Sequence, residues 1–566
     1  MIKEEIKSLI SKIVPPGTDF VVEIPEEKIY GDYATNVALI LAKKQGKNPV
    51  LVAEDIKSKI THLSARQESD LFERIEVKNG FINFFLKPEF LQKQVKEILK
   101  QDKNFGGQKI GKGKTVIVDY SSPNIAKPMH VGHLRSTIIG QAIYNIYKFF
   151  GYKVIGDNHL GDWGTQFGIM IAACKKYKTS LKNITISAML DIYVRFNKEM
   201  ELQPELREIA RQEFKKLEDG DRENRKIWKI LKEKSLKEFE RFYKILGVKF
   251  ELVLGESFYE NKLQEIIKDA LNKGVAIKNP DNSIVIPLEK FNLTDCLILK
   301  SDGATLYETR DLATIKYRVK KYNPGIILYV VGNEQTLHFQ QLFQSAELLN
   351  YISKDKLRHI KFGLVLDENH KKLATREGRT INAEELINKI IELAEAIIRD
   401  KNPKLSEKER KQAAQIIGVG ALKYNDLSQN RQTDIIFDWK KMLSFEGNSG
   451  PYLQYSYVRL RSILRKAGAS KSFKPEFLKE KEELVIIKEL IKFPEMIQES
   501  AEKFQINMLA NYLYNLAGLI NAFYEKYSVL KSEKEVKLAR LALIKAATIV
   551  LRNGLNLLGI NILEKM

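Results

Sequence analysis

From Thr115 onward the spacing of apolar residues changes register in a way that predicts successive elements. Val116–Tyr120 is a short, β-branched, largely apolar run and predicts a strand. Ser121–Met129 is polar and carries two prolines, which predicts a loop. From about His130, residues Leu134, Ile138, Ala142 and Ile146 recur every four positions, with Phe149 and Phe150 closing the stripe, so a helix follows. Gly151 ends it and Tyr152–Gly156 predicts the next strand, which completes a βαβ unit.

The same reading divides the rest of the chain. Residues 1–100 read as a small α/β module, with strands at Phe20–Ile24 and Phe81–Leu86 and helices at Ala34–Lys44 and Pro49–Ile60; Gly31–Asn36 reads as a turn running into a helix start. Gln101–Lys114, with four glycines and four lysines, reads as a boundary. Between about Cys174 and Gly255 the chain is highly charged and helical, most clearly over Glu213–Leu246, as expected of an insertion between two halves of a sheet. Strand signals return at Ser283–Pro287, Cys296–Lys300 and Ile326–Val331, the last a continuous apolar run suited to a buried parallel strand. A polar loop, Asp367–Arg379, follows the strand-like Phe362–Leu366. After Lys440 a helical stripe such as Leu538, Leu541, Ile544, Ala547 and Leu551 predicts a bundle.

Length and composition bound the function. A chain of 566 residues is too long for one core and suggests roughly three to four domains. No apolar run approaches the length of a membrane span, and Met1–Val14 is an amphipathic helix start with neither the apolar core nor the cleavage site of a signal peptide. Two distant cysteines, Cys174 and Cys296, give no zinc cluster and no disulfide framework, and fit a reducing, cytoplasmic setting. The net charge of +21, with 21 basic against 13 acidic residues from Lys440 to Met566, favours a polyanionic partner.

The chemistry begins at His130-Val131-Gly132-His133. Unpaired backbone N–H groups and the positive end of the dipole make a helix N-terminus favourable for an anion. Gly132 lets a flat ring or a phosphate come close, and both imidazoles can donate to phosphate oxygens. Four such letters also occur as an ordinary helix cap; the strand–loop–helix context is what raises their meaning.

His130–His133 resembles the HIGH signature of class I aminoacyl-tRNA synthetases. The longer string SSPNIAKPMHVGHLRS is similar to arginyl-tRNA synthetases in particular, as are Asp157–Gly168, Leu306–Ala313, Phe445–Arg459, the N-terminal GDYATN and the C-terminal LRNGLNLLGI. The resemblance runs from about residue 20 to the end. It implies a Rossmann-type parallel-sheet α/β catalytic domain over 115–435 with a helical insertion near 175–255, an N-terminal module over 1–105 that approaches the tRNA elbow, and an all-helical anticodon-binding bundle over 440–566. The implied activity is ATP-dependent activation of L-arginine to arginyl-adenylate and transfer to the 3′-terminal adenosine of tRNA-Arg. Magnesium is expected to come with the nucleotide and pyrophosphate, and no dedicated protein metal site is expected. A monomer with no membrane association is expected. The rival classes are a free-standing nucleotidylyltransferase, which would lack the large bundle, and a non-catalytic RNA-binding relative, which would be expected to lose His130, His133 or Asp311.

Site residues carry over position by position. His130, Gly132 and His133 fall at the ATP phosphates. The second class I signature, a lysine-bearing loop, is matched by Lys372-Leu373-Ala374-Thr375-Arg376: Lys372 is present for ATP, but Thr375 stands where the second lysine belongs. Lys127, just upstream of His130, is the candidate to act in its place. Asp119, Asp311 and Tyr307 match the guanidinium side of the arginine site, Ser122 and Asn124 its amino and carboxylate side, and Gln335 and His133 further contacts. A planar guanidinium pairs two parallel hydrogen bonds with a carboxylate, which an ammonium cannot do, so lysine would be rejected without an editing domain. In the bundle, Tyr452, Tyr455, Tyr457, Arg459 and Arg461 interleave aromatic and basic groups suited to unstacked bases, although tyrosines at this spacing pack bundle cores as readily.

Overall fold

The computed structural model describes residues 1–66, 71–367, 370–371, 382–468 and 472–565. At its centre are four parallel strands in the spatial order Leu357–His359, Ile326–Tyr329, Thr115–Asp119, Lys153–Asp157. Helix Val131–Phe149 joins the two strands on one side. The chain then leaves through the insertion helices Ile186–Leu202, Glu205–Glu218 and Arg222–Leu246 and returns to the opposite side of Thr115–Asp119. The strand order therefore reverses between Thr115–Asp119 and Ile326–Tyr329, and in such sheets the ligand crevice lies beyond the carboxyl ends at that reversal. Here the two ends are laced together by Ser136, whose hydroxyl accepts from the Ser121 N–H (2.9 Å) and donates to the Val330 carbonyl (2.6 Å).

Register puts Asp157, Asp119 and Tyr329 side by side at those ends. Below them the fully buried Arg318 donates to both aspartates, through Nη2 to Asp119 (2.6 Å) and through Nε to Asp157 (3.0 Å). One guanidinium thus bridges two buried carboxylates and offsets part of their charge; removing it would leave both without a cationic partner.

The strand signals at Ser283–Pro287 and Cys296–Lys300 are strands, Ile284–Ile286 and Cys296–Leu299, but they form a separate antiparallel sheet with Ile277–Lys278. The link between them is too short for the crossover that parallel neighbours need. The charged helical stretch Glu213–Leu246 spans parts of two helices, separated at Asp219–Asp221, where Gly220 takes φ +87°.

In the N-terminal module a four-stranded antiparallel sheet pairs Tyr33–Thr35 with Phe81–Leu86. The GDYATN segment is therefore mostly strand, with the helix beginning later, at Val37. Strand Phe72–Lys78 is not legible in the sequence, because its burial alternates irregularly and its polar residues interrupt the pattern. The same GDYATN segment docks the module onto the C-terminal helices: Asp32 pairs with Lys488 (2.8 Å) and the Tyr33 hydroxyl reaches Glu495. Among the described residues, six helices of four or more residues follow Asp438, from Trp439–Met442 to Lys534–Leu557, and one continuous apolar core runs through module, central sheet and helices.

Candidate active site

The loop entering helix Val131–Phe149 is bent into an unusual path. Ser121 (φ +73°), Ser122 (φ +46°) and Ala126 (φ +62°) all occupy the left-handed region that costs a side-chain-bearing residue energy. Long-range hydrogen bonds hold it there. The Ser121 hydroxyl meets the Tyr243 hydroxyl (2.8 Å), the Ser122 N–H donates to Asn158 Oδ1 (3.1 Å), and the Ala126 N–H donates to the Ser235 hydroxyl (2.9 Å). Tyr243 and Ser235 belong to insertion helix Arg222–Leu246, so that helix serves as a brace for the loop. Asn124 lies against Gly161, whose Cβ, were it present, would sit 1.9 Å from Asn124 Oδ1, so a side chain at 161 would displace the Asn124 amide.

His130 caps the helix. Its Nδ1 accepts from the Gly132 N–H (3.1 Å), while the His130 N–H donates to His133 Nδ1 (3.2 Å), and the two rings stack with centroids 3.7 Å apart. A Cβ at position 132 would fall 2.9 Å from the His130 ring, so it is this ring that requires the glycine. The surrounding protein and then the charge of Lys127 lower the His130 pKa; burial and then His130 lower that of His133 much further. Both imidazoles are therefore neutral at pH 7. Because both Nδ1 atoms accept, each proton is on Nε2, which leaves two outward N–H donors beside the helix N-terminus. Lys127 Nζ rests 4.5 Å above the Tyr193 ring and has no carboxylate partner among the described residues. Lys372 and Thr375 lie outside the described residues.

The second half of the site is acidic. Asp311, on helix Tyr307–Tyr322, accepts from His338 Nε2 (2.7 Å). Burial works to raise the Asp311 carboxyl, but the His338 bond and the charges of His338, His159 and Arg318 outweigh it and hold the group ionised. Tyr307, at the start of that helix, is exposed. Glu256 is buried nearby with Oε2 free of any hydrogen bond. Burial pushes it up to about 8, with Arg310 opposing and Asp311 adding to the rise.

The sequence-derived residues thus separate. His130, Gly132, His133 and Lys127 form one cluster at the helix start. Asp311 and Tyr307 form the other, with Glu256 supplied by the segment after Gly255. Asp119 is at the crevice, yet both of its oxygens are engaged, by Arg318 and by the Ser122 hydroxyl (3.0 Å). Gln335 is exposed in the turn before helix Thr336–Leu348. Glu256, His159 and His338 escaped sequence reading; His338 could have been found, since it opens the helix that follows the switch-point strand Ile326–Tyr329.

On the bundle, Tyr457 is buried, Tyr452 is half-buried with its hydroxyl bonded to Asn521, and Arg461 is paired with Glu564 (2.9 Å). Tyr455 is exposed, and Arg459, one turn on, lies over the Tyr524 ring at 4.6 Å.

A helix-start HVGH motif at the switch point of a parallel sheet, followed by a helical bundle, is the architecture of a class I aminoacyl-tRNA synthetase. Residues 94–439 match the family profile for the class I tRNA synthetase (R) catalytic domain, 453–566 that of the DALR anticodon binding domain, and 1–86 that of the arginyl tRNA synthetase N terminal domain. The chain is 42% identical to an arginine–tRNA ligase of Clostridium botulinum over 99% of its own length and 100% of the relative's, and 43% identical to that of Clostridium kluyveri over 96% of each. Its fold matches the arginyl-tRNA synthetase of Plasmodium falciparum with a TM-score of 0.85 at 28% identity, covering 100% and 99% of the two chains, and that of Thermus thermophilus with 0.85 at 23%, covering all of both. The chain belongs to the arginyl-tRNA synthetase family.

Proposed function

We infer that this chain is an arginine–tRNA ligase. The carboxylate of L-arginine attacks the α-phosphate of ATP, forming arginyl-adenylate and releasing pyrophosphate; the 2′-hydroxyl of the terminal adenosine of tRNA-Arg then takes the arginyl group and AMP leaves. The observation that carries this reading is the pairing of an anion-binding helix start with a buried acidic cluster in one domain. Such a transfer needs positioning and charge stabilisation rather than a protein nucleophile. The neutral His130 and His133 donate through Nε2 to phosphate oxygens on which charge develops, the open helix N-terminus around Gly132 adds its dipole, and Lys127 supplies the mobile cation.

Asp311 and Glu256 take the guanidinium, with Tyr307 beside them. Asp119 serves indirectly, holding Arg318 and the Ser122 hydroxyl, while Ser122 and Asn124 line the edge nearest the histidines and Gln335 borders the entrance. Magnesium arrives as a complex with the phosphates, whose charge it offsets. Tyr455 and Arg459 offer stacking and charge to anticodon bases, Arg461 is tied to Glu564, and the module over 1–105 reaches towards the tRNA elbow. The enzyme acts as a cytoplasmic monomer; no helix among the described residues is long and apolar enough to cross a membrane.

The deciding assay is ATP–pyrophosphate exchange driven by each amino acid, with and without total tRNA. Arginine is the expected driver, and exchange driven by another amino acid would overturn the reading.

The raised pKa of Glu256 makes a further prediction. In the empty site a pKa of about 8 leaves Glu256 largely protonated at neutral pH. A guanidinium favours the ionised form, so binding lowers that pKa and expels a proton. Arginine affinity should therefore rise with pH between about 6.5 and 8.5, the window around the empty-site value. Calorimetry in buffers of different ionisation enthalpy should detect proton release at neutral pH, and an absence of release would show that Glu256 does not face the substrate.

A further inference from the structure

We propose that His338 is a specificity-determining residue of the arginine site: it fixes the plane and the ionised state of Asp311 so that only a planar fork of donors can satisfy it. The inference rests on the assignment of the guanidinium to Asp311.

His338 lies in the first turn of helix Thr336–Leu348, which packs against helix Tyr307–Tyr322. Its Nε2 is 2.7 Å from Asp311 Oδ2 and its Nδ1 is 3.6 Å from Glu308 Oε1. The ring is further held edge-to-face by Phe339, whose own ring packs on His359. One imidazole therefore spans two carboxylates one turn apart on a single helix. Burial works against a charge on His338, but the two carboxylates overcome it and push its pKa up to about 10. Both ring nitrogens are donors in that state.

The consequence for Asp311 is geometric. A carboxylate has roughly four acceptor positions in one plane. His338 occupies one of those on Oδ2, and no other hydrogen bond to Asp311 exists among the described residues. Three positions remain, both on Oδ1 and one on Oδ2, so each oxygen still offers an acceptor in a plane that the His338 bond restrains. Guanidinium offers two parallel N–H groups at that spacing; an ammonium offers a point charge with diverging donors. Without the clamp Asp311 would turn to suit either cation.

The charges point the same way. Arg310 is shared between Glu260 (3.0 Å) and Glu256 (4.0 Å), which leaves His338 as the cation in contact with Asp311 and Glu308. Glu308 Oε2, like Glu256 Oε2, is buried without a hydrogen bond. If His338 were uncharged, the crowded carboxylates would take up protons, and a protonated Asp311 cannot accept a fork.

The test is arginine- and lysine-driven ATP–pyrophosphate exchange by the intact enzyme. A charge-assisted bond of this kind corresponds to about 10–100-fold in binding. His338→Leu is expected to raise the arginine KM about 30-fold, to leave kcat within about twofold, and to lower the arginine-over-lysine preference at least about tenfold. His338→Gln retains a neutral donor at the position of Nε2 and should recover much of the loss, with a KM about fivefold above wild type. An arginine KM within about twofold of wild type in His338→Leu overturns the proposal, as does a fall in kcat at constant KM, which would place His338 in the chemical step. If His338→Leu does not fold, His338→Gln decides by the same criterion. Asp311→Asn separates the two levels: an unchanged arginine KM there sinks the site assignment itself, whereas a raised KM there with both His338 variants unaltered sinks only the role of His338.

Discussion

Lys127→Ala is expected to slow arginyl-adenylate formation by about 10²–10³-fold, the loss typical of removing one preorganised donor from a site where charge develops, while tRNA affinity stays within about twofold. The expectation rests on where this lysine is and what it lacks. In the stretch Lys372–Arg376, proposed to match the class I lysine loop, residue 375 is Thr, and on that proposal a second phosphate-directed cation has to come from elsewhere. Lys127 precedes the helix cap by three residues, on a loop held in left-handed conformations at Ser121 and Ala126 by the insertion helix and at Ser122 by Asn158. That strain and bracing aim a side chain that has no carboxylate partner among the described residues and only the face of Tyr193 to rest on, an attraction of about 0.5–1 kcal/mol at a solvent-accessible position. A phosphate would outcompete it.

Lys127 also acts on His130 at a distance, since its charge is one cause of the lowered His130 pKa. In Lys127→Ala that pKa should move back up, so the acid limb of the activation profile should shift to higher pH. Lys127→Arg keeps the charge and should keep the His130 effect while recovering only part of the rate, because the guanidinium fork does not reproduce a compact ammonium. Single-turnover adenylate formation measures the first effect, and filter retention of labelled tRNA the second. Activation kinetics equal to wild type would show that Lys127 is an ordinary loop lysine.

The parts of this molecule legible in sequence are those in which periodicity and local chemistry agree. Helix Val131–Phe149 is readable to within a residue because its apolar stripe, its capping histidines and the stop at Gly151 coincide. The switch-point strand Ile326–Tyr329 is readable because burial on both faces makes it apolar throughout. What stays hidden arises from pairing between distant segments. Tyr33–Thr35 is a strand because Phe81–Leu86 and Val22–Glu23 lie on either side of it, and the sheet built on Ile284–Ile286 is antiparallel because of the length of its connection, not its composition. At the site, motif matching locates residues at the ends of recognisable strings, but it cannot show that Arg318 already engages Asp119. Nor can it show that Glu256, His159 and His338 converge on Asp311 from three separate segments. Charge partnership is a property of the folded crevice, and a string of letters does not display it.

That partnership makes Asp311→Asn the most severe change in the arginine site. The substitution is close to isosteric, so packing is kept, but an anionic double acceptor becomes a group with one acceptor and one donor. The amide N–H would face a guanidinium N–H, and the charge-assisted fork is lost with no water able to replace it in a partly buried pocket. The single amide oxygen could still accept from His338 Nε2, but the negative charge is gone, leaving the imidazole beside the incoming cation with Glu308 as its one remaining anionic contact. Removing one member of such a pair typically costs about 3–5 kcal/mol, which corresponds to a rise of about 10²–10³-fold or more in the arginine KM. The ATP KM should change by less than about threefold, because the histidine cluster and Lys127 lie on a different segment and share no hydrogen bond with Asp311 among the described residues. The split is the informative part: steady-state exchange with each substrate varied in turn should show arginine dependence moving alone. Equal rises in both constants would mean that the substitution disturbs the crevice as a whole, and an unaltered arginine KM would place the guanidinium elsewhere, with Glu256 as the remaining carboxylate to test.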